Sequence, residues 1–450
     1  MRIVGFVEGA RGDSPGIVGV PIILKSTAAH GHNIVLLMGG APSLGSGKFI
    51  VADPGQALVR KEGAGTFGII SLKAANFWFF CPSILWRFNR LVRQADFVTL
   101  HSLYSFPVLA GYLLARFHGK PYGISPHGVL APFQRVVSAR KKWLYNKVFA
   151  NRILQHASVI FYSAEGEREE AAVLGLRPPS VLVPDGFDPS AFEALPERGR
   201  FRDRFFEGYK GPLVLFLARL NAKKGLDLLI DAMRIVIEKR PEVRLAIVGP
   251  PDPVAFNREV LEWVKANGIE DQTVLTGVAD KEMRLQAFAD SDIYVLPSHA
   301  ENFGFTIFEA MACGIPVVVS DTLNFAPDFD RSGAAFVLPR TPESFAEAII
   351  KLIDQPDLRQ AMGARGRSLV RQYSLEDTGA KVAKTIECVL GSKPFPEELV
   401  QLGELELLNE PHQLVSIGPV IGFAQPAFQV LACCFGEFSL LNSGLQRSDR

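Results

Sequence analysis

Cysteine is scarce in this chain, with five among 450 residues, an odd number that includes no Cys-x-x-Cys pair. That argues against a disulfide framework and against a zinc site, and it fits a reducing compartment. Charge of one sign is lacking too. The 48 Lys and Arg residues face 47 Asp and Glu, for a formal net charge of +1, which gives no electrostatic reason to expect a nucleic-acid partner. Long hydrophobic runs are absent. The aromatic stretch Phe77–Trp86 is too short to span a bilayer and is broken by Pro82. The tail from Ile417 to Leu441 is apolar but carries Pro419, Gln425, Pro426 and Gln429, which makes it a poor membrane span. Met1 leads straight into the strand-like run Arg2–Val7, so no signal peptide is expected. No repeat at solenoid spacing occurs. These absences point to a cytoplasmic globular protein. Its length suits two or three domains, and 48% hydrophobic residues supply large cores.

Short apolar runs alternate with helical patterns twice along the chain. The first half predicts strands at Arg2–Val7, Asn33–Met38, Phe97–His101, Pro121–Ser125, Val159–Tyr162 and Val181–Pro184. The second predicts them at Leu213–Leu217, Arg244–Val248, Val274–Thr276, Ile293–Leu296, Pro316–Ser320 and Ala335–Leu338. Continuous apolar strands separated by helices imply parallel sheets covered on both faces. Two such units make an α/β protein with two facing Rossmann-like domains and a cleft beyond the strands' carboxyl ends. The turn Asp185-Gly186-Phe187-Asp188-Pro189 and the charged stretch from Arg198 to Lys210 place the boundary within 185–211. The expected division is 1–195 and 196–375, then a helix at 376–390 and an unassigned tail at 391–450.

The densest chemistry lies in the run from Pro297 to Ser320. Glu301 follows an apolar strand pattern, Asn302 and Gly304 make a loop, and helical periodicity starts near Thr306 and carries Glu309 in its first turn. A glutamate on the loop and another on the helix would face one crevice. The helix start between them offers free backbone N–H groups to a diphosphate. The full string, with Phe303-Gly304 inside and Glu309-Ala310-Met311-Ala312-Cys313-Gly314-Ile315-Pro316-Val317 following, resembles the donor-sugar signature of the family-four retaining glycosyltransferases (glycosyl transferases group 1).

That resemblance covers residues 1 to about 390 and implies the GT-B architecture, with a last helix that returns to the first domain. Ser374–Leu390 has the position and period for it. The resemblance also implies a nucleotide-diphosphate sugar as donor substrate and no further cofactor. Glu309 is then the ribose-binding glutamate and Glu301 lies near the transferred sugar. The backbone N–H groups of Phe303, Gly304, Phe305 and Thr306 hold phosphate and sugar oxygens.

Arg219-Leu220-Asn221-Ala222-Lys223-Lys224-Gly225 resembles the family's Arg-Leu-x-x-x-Lys-Gly string. An arginine fork and a lysine can stabilise a departing diphosphate without a metal. Cations at a helix start oppose the macrodipole, a conflict that a bound diphosphate would resolve. Ser125-Pro126-His127-Gly128-Val129-Leu130 resembles the family's Ser-Pro-His-Gly-x-Leu and puts His127 in the crevice. His101, at an equivalent strand end, is left open between a structural and an acceptor-side role.

Two segments depart from the family pattern. The glycines of the first loop are separated, in Ser14-Pro15-Gly16-Ile17-Val18-Gly19, and Gly16 is the best match for close approach to phosphate. The family's Pro-Asn-Gly turn is Pro184-Asp185-Gly186 here, a swap that turns accept.

The function expected is transfer of a hexose-type sugar to a glycan or lipid-linked acceptor in surface polysaccharide biosynthesis. Rival readings are a nucleotide-sugar 2-epimerase and a non-catalytic GT-B subunit. Residues 134–152 mix Arg and Lys with apolar side chains, which fits either an ordinary surface helix or a peripheral contact with an anionic membrane at its inner face.

Overall fold

Eight strands pair into the first sheet in the order β3-β4-β2-β1-β5-β6-β7-β8. They are β1 (Arg2–Val7), β2 (Asn33–Gly39), β3 (Leu58–Glu62), β4 (Gly65–Leu72), β5 (Phe97–His101), β6 (Tyr122–Ser125), β7 (Val159–Tyr162) and β8 (Ser180–Leu182). All pair in parallel except β3, which runs antiparallel to β4 at the edge. The computed structural model describes residues 1–8, 19–39, 58–72, 74, 78–131 and 145–391. All of them belong to one compact unit. Gly16, the tail at 392–450 and most of the basic segment 134–152 lie outside the described residues. Of that segment, Asn146–Ala150 makes a π-helical turn that leads into helix Asn151–Gln155.

The second sheet has the order β11-β10-β9-β12-β13-β14. Its strands are β9 (Leu213–Leu217), β10 (Arg244–Val248), β11 (Thr273–Gly277), β12 (Ile293–Leu296), β13 (Val317–Ser320) and β14 (Ala335–Leu338), and all are parallel. β9 and β12 are buried throughout, as strands covered on both faces must be. Each sheet reverses its winding direction once, between β1 and β5 and between β9 and β12. Loops that leave such a pair of strands diverge and open a crevice at their carboxyl ends. Arg219 and Lys224 follow β9, and Glu301 and Glu309 follow β12, so this topology puts these four at the mouth of the second sheet.

All twelve expected strands are present within two residues at either end, while β3 and β4 were not anticipated. β3 is a charged edge strand, Leu58-Val59-Arg60-Lys61-Glu62, and β4 carries Gly65 and Gly68, both features that weaken a strand pattern.

Two contacts define how the chain changes domain. Helix Arg200–Phe206 opens on the buried carboxylate of Asp290, which accepts from the N–H groups of Gly199, Phe201 and Arg202. An acid from another helix thus fills the role of an N-terminal cap. At the far end, Ser374 caps helix Leu375–Val389, accepting from Asp377 N at 3.1 Å. Val382 and Ile386, one turn apart, enter the first domain's core. Ser26 Oγ donates to Leu375 O at 2.7 Å, and Thr378 Oγ1 to Pro184 O at 3.1 Å. The chain therefore returns to the first domain and packs on helix Gly19–Ala29.

Candidate active site

The loop after β9 ends in a single 3₁₀ turn, Ala222–Lys224, and Gly225 then enters helix Leu226–Lys239. Gly225 has φ +70°, and a Cβ there would lie 2.2 Å from Pro297 O. Only glycine lets the two loops approach this closely. Gly225→Ala should therefore destabilise the domain by about 2–4 kcal/mol, combining left-handed strain with a backbone clash. Urea denaturation measures this, and unchanged stability would show that the loops separate freely.

That approach brings Lys224 Nζ within 2.5 Å of Glu301 Oε1. Ser298 Oγ lies 2.7 Å from the same oxygen and 2.9 Å from Lys223 O. Burial alone would push the Glu301 carboxyl up. The Lys224 and Lys223 ammonium groups, with hydrogen bonds from Lys224 and Ser298, outweigh it and hold the carboxyl below its ordinary value. Burial lowers Lys223 as well, partly offset by Glu301. The conflict expected between this basic pair and a helix dipole is offset by the Glu301 carboxylate. The lysines sit on a turn ahead of the helix, and Glu301 supplies the counter-charge.

The 297–304 loop is fixed from three sides. Ser320 Oγ at the end of β13 donates to Ser298 O, Arg340 Nε donates to Pro297 O at 3.2 Å, and His299 N donates to Lys223 O at 2.8 Å. The loop ends at Gly304, and helix Phe305–Ala312 follows. Phe303 stacks on Phe308 with ring centroids 4.1 Å apart. Its side chain belongs to the core, so only its backbone can serve a ligand. Thr306 is committed similarly, its hydroxyl oxygen accepting from Tyr294 OH at 2.7 Å. Phe305 reaches the start of the first domain's helix, where a Cβ on Gly19 would meet its ring at 3.4 Å. Glu309 is buried and pairs with Arg284. Burial raises its carboxyl despite that cation.

From the first domain, His127 follows β6 with φ +53°. Gly128 beside it is closed over by Asn302, whose Cβ would lie 3.1 Å from an added Cβ. Asn302 Oδ1 lies 2.8 Å from Ser163 Oγ. The two domains therefore touch at the residue next to Glu301. Glu167 braces this corner, accepting from Gly128 N at 2.6 Å and from Ser163 N at 2.8 Å.

The structure thus brings Lys224 and Glu301 into contact and sets Gly128 against the neighbouring Asn302, while the His127 ring turns to Asp185 and His101. Arg219 stands on the same loop as Lys224 but pairs with Asp252 at 2.7 Å, half exposed. Lys223, Arg284, Ser298, Asn302 and Arg340 were not anticipated. Their partners are distant in sequence, and no spacing rule reveals them. Among the described residues, no three His, Cys, Asp or Glu side chains are grouped to hold a metal ion, and no helix is long and apolar enough to cross a membrane.

Two Rossmann-like units, with Lys224 and Glu301 in contact at the second sheet's switch point, make the GT-B architecture. The family profile described as Glycosyl transferases group 1 matches residues 198–369. A second profile, Glycosyl transferase 4-like domain, matches residues 23–186. The chain belongs to the group 1 glycosyltransferases. It is 28% identical over 253 residues to a D-inositol 3-phosphate glycosyltransferase of Kineococcus radiotolerans, covering 52% of this chain and 58% of that one. To a mannosylfructose-phosphate synthase of Agrobacterium fabrum it is 37% identical over 147 residues, covering 31% and 32%. With both of these it therefore aligns over less than two thirds of the relative's length. It is 26% identical over 327 residues to a phosphatidyl-myo-inositol mannosyltransferase of Mycobacterium leprae, covering 70% and 79%. Among solved structures, sucrose-phosphate synthase of Thermosynechococcus elongatus superposes with a TM-score of 0.71 at 18% identity, over 87% of this chain and all of that one. Anabaena HepE, in complex with UDP and glucose, does so with a TM-score of 0.67 at 17% identity, over 86% and 99%. These similarities establish the shared architecture.

Proposed function

We propose that this protein is a retaining glycosyltransferase that moves a hexose-type sugar from a nucleotide-diphosphate sugar to a glycan or lipid-linked acceptor in surface polysaccharide biosynthesis. The observation that carries this reading is the Lys224–Glu301 contact at the switch point of the second sheet, with Gly128 of the first domain packed on Asn302 beside it. A diphosphate placed at the start of helix Phe305–Ala312 meets backbone N–H groups and lies beside Lys224, with Arg219 on the same loop. Glu309 lies one turn further along that helix, within the span of a ribose. The phosphate, sugar and nucleoside subsites then follow one another along a single loop and helix.

The bond from the anomeric carbon to the β-phosphate oxygen breaks, and both electrons stay on the phosphate. Lys224 and Arg219 stabilise that growing charge. The acceptor hydroxyl adds to the same face, and its proton passes to the departing phosphate oxygen. Relatives named for inositol phosphate and phosphatidyl-inositol support an acceptor that carries a phosphate or lipid. The protein works in the cytoplasm, with residues 134–152 as its peripheral contact at the inner membrane face.

Incubating the protein with UDP-, GDP- and ADP-sugars and following diphosphate release tests the activity. Release of diphosphate with sugar transferred supports it. A changed sugar without transfer means epimerisation, and no reaction with any donor overturns the reading. Because fixed cations take the place of a divalent ion, turnover should persist within about twofold in excess chelator. Strict dependence on added Mg²⁺ or Mn²⁺ would remove that part of the account.

A further inference from the structure

The helix layer on one face of the first sheet ends in a surface that the reaction above does not use. Phe6 of β1 packs on helix Phe106–Phe117, where a Cβ on Gly111 would lie 2.6 Å from its ring. Val7, on the opposite face of the strand, joins the core with helix Gly19–Ala29 and the return helix. Helix Phe106–Phe117 therefore covers the face away from the return helix. It is buried along most of its length, and its last turn opens to solvent, with Arg116 exposed and Phe117 74% exposed. Beside it stand helices Ile84–Arg87 and Asn89–Gln94, and Trp86 on the first of these is 67% exposed. His118 Nε2 lies 2.6 Å from Asn89 Oδ1, and the Phe117 and His118 rings meet edge to face with centroids 4.9 Å apart. The two exposed aromatics thus flank one contact.

Single apolar residues on a surface are ordinary, but this pair stands among cations that lack a counter-charge. Arg87, Arg90, Arg93 and Arg116 are exposed, and neither they nor Lys120 form an ion pair among the described residues. From Gly63 to Ala164 the chain holds twelve Lys and Arg residues against one acid, Asp96. That acid accepts from Arg2 N at 2.7 Å. Neighbouring groups register the excess. Burial lowers His118, and Arg93 and Lys120 lower it further. Burial also lowers His156, and Arg116 and Arg152 add to the effect. Arg152 therefore adjoins Arg116, which makes the surface continuous with the basic segment 134–152. Helix Phe106–Phe117 runs back from the crevice end of β5, so Phe117 stands at the far end of the sheet from the donor residues. Residues 145–155 join the two ends. Tyr145 OH donates to Leu103 O at 2.9 Å just beyond β5, and Arg152 reaches Arg116.

We propose that this face of the first domain is a docking surface for an anionic lipid bilayer, with Trp86 and Phe117 entering the boundary between headgroups and acyl chains and Arg87, Arg90, Arg93 and Arg116 meeting lipid phosphates. Aromatic side chains beside long cationic ones match the layering of such a bilayer, apolar beneath anionic. A bilayer takes these projections without a matching pocket, which a protein partner would have to supply. The inference rests on the membrane-facing part of the function proposed above, whose contact it extends beyond residues 134–152, and not on the reaction.

Cosedimentation of the full chain with lipid vesicles tests it. Phosphatidylcholine vesicles with about one third phosphatidylglycerol should bind the protein, and pure phosphatidylcholine should bind it at least about tenfold less, with attachment weakening as salt rises. The triple variant Arg90→Glu, Arg93→Glu, Arg116→Glu should bind at least about thirtyfold more weakly, since one cation near an anionic surface contributes about fivefold. Trp86→Ala with Phe117→Ala should cost about tenfold. If either multiple variant does not fold, fluorescence of the wild type decides. Vesicles with brominated acyl chains should quench its tryptophan emission, and Trp86→Phe should remove at least about half of that quenching. Equal binding to neutral vesicles, folded variants that bind like the wild type, or quenching untouched by Trp86→Phe overturns the proposal. Capture of an acidic polypeptide or an oligonucleotide with no binding to vesicles overturns it as well. Failure of every nucleotide sugar to react defeats the assigned reaction and leaves the vesicle and quenching arms to decide this surface.

Discussion

Replacing Lys224 by alanine is expected to lower kcat/KM for the nucleotide-sugar donor by about tenfold to a thousandfold, the range lost when a charge-stabilising group is removed. Lys224 is nearly buried and 2.5 Å from Glu301, so its ammonium is already desolvated and oriented before any donor binds. Pre-placed charge of this kind needs no reorganisation as the phosphate departs. Arg219 is half exposed and held by Asp252, so Arg219→Ala should fall at the low end of the same range. The Lys224 variant should also be less stable at neutral pH, because it strands the Glu301 carboxylate. Glu301 is held below its ordinary value in the wild type. Its contribution to stability is present above that value and is lost as pH falls through the folded one. The stability gap between wild type and Lys224→Ala should therefore narrow on acidification. Donor-saturation kinetics and pH-dependent denaturation measure the two effects. Lys224→Arg keeps the charge and should recover part of the rate. Wild-type turnover in Lys224→Ala would take the residue out of the site.

Much of this arrangement was legible because the relevant signals are local. Twelve apolar runs set the two sheets, since a strand covered on both faces must be continuously hydrophobic. The string from Glu301 to Pro316 marks its own loop, helix start and following strand. Contacts that depend on the fold were not legible. Asp290 is an acid within a helix by its sequence, yet it caps a helix that begins at Arg200. Arg284 lies on a different helix from Glu309, and only the packing of helix Lys281–Asp290 brings them together. Asp185 looks like a turn residue until β8 and the return helix bury it against His127. Hairpin β3–β4 escaped notice because edge charge and glycine mask a strand that pairing along β2 stabilises. In each case the missing information is a long-range partner, which no window of sequence contains.

The two glutamates should separate in steady-state kinetics. Glu309 lies inside the first turns of helix Phe305–Ala312, where its carboxylate can grip two adjacent ribose hydroxyls while Arg284 orients it. The ribose changes little between bound donor and transition state, so that grip acts on both equally. Glu309→Gln should then raise donor KM with kcat nearly unchanged, at a cost of about 1–3 kcal/mol, the worth of hydrogen bonds to a charged group. Arg284→Ala should move KM in the same direction by releasing the carboxylate it holds. Glu301 instead touches Lys224 and adjoins the interdomain contact at Asn302. Its charge sits where the sugar separates from phosphate, so Glu301→Gln should mainly lower kcat. Because glutamine cannot balance Lys224, the loss should reach about tenfold or more. Varying the donor at saturating acceptor distinguishes the outcomes. If Glu309→Gln lowers kcat at constant KM while Glu301→Gln does the reverse, the roles are exchanged. If neither variant changes either constant, the donor does not lie along this loop and helix, and the site must be sought elsewhere.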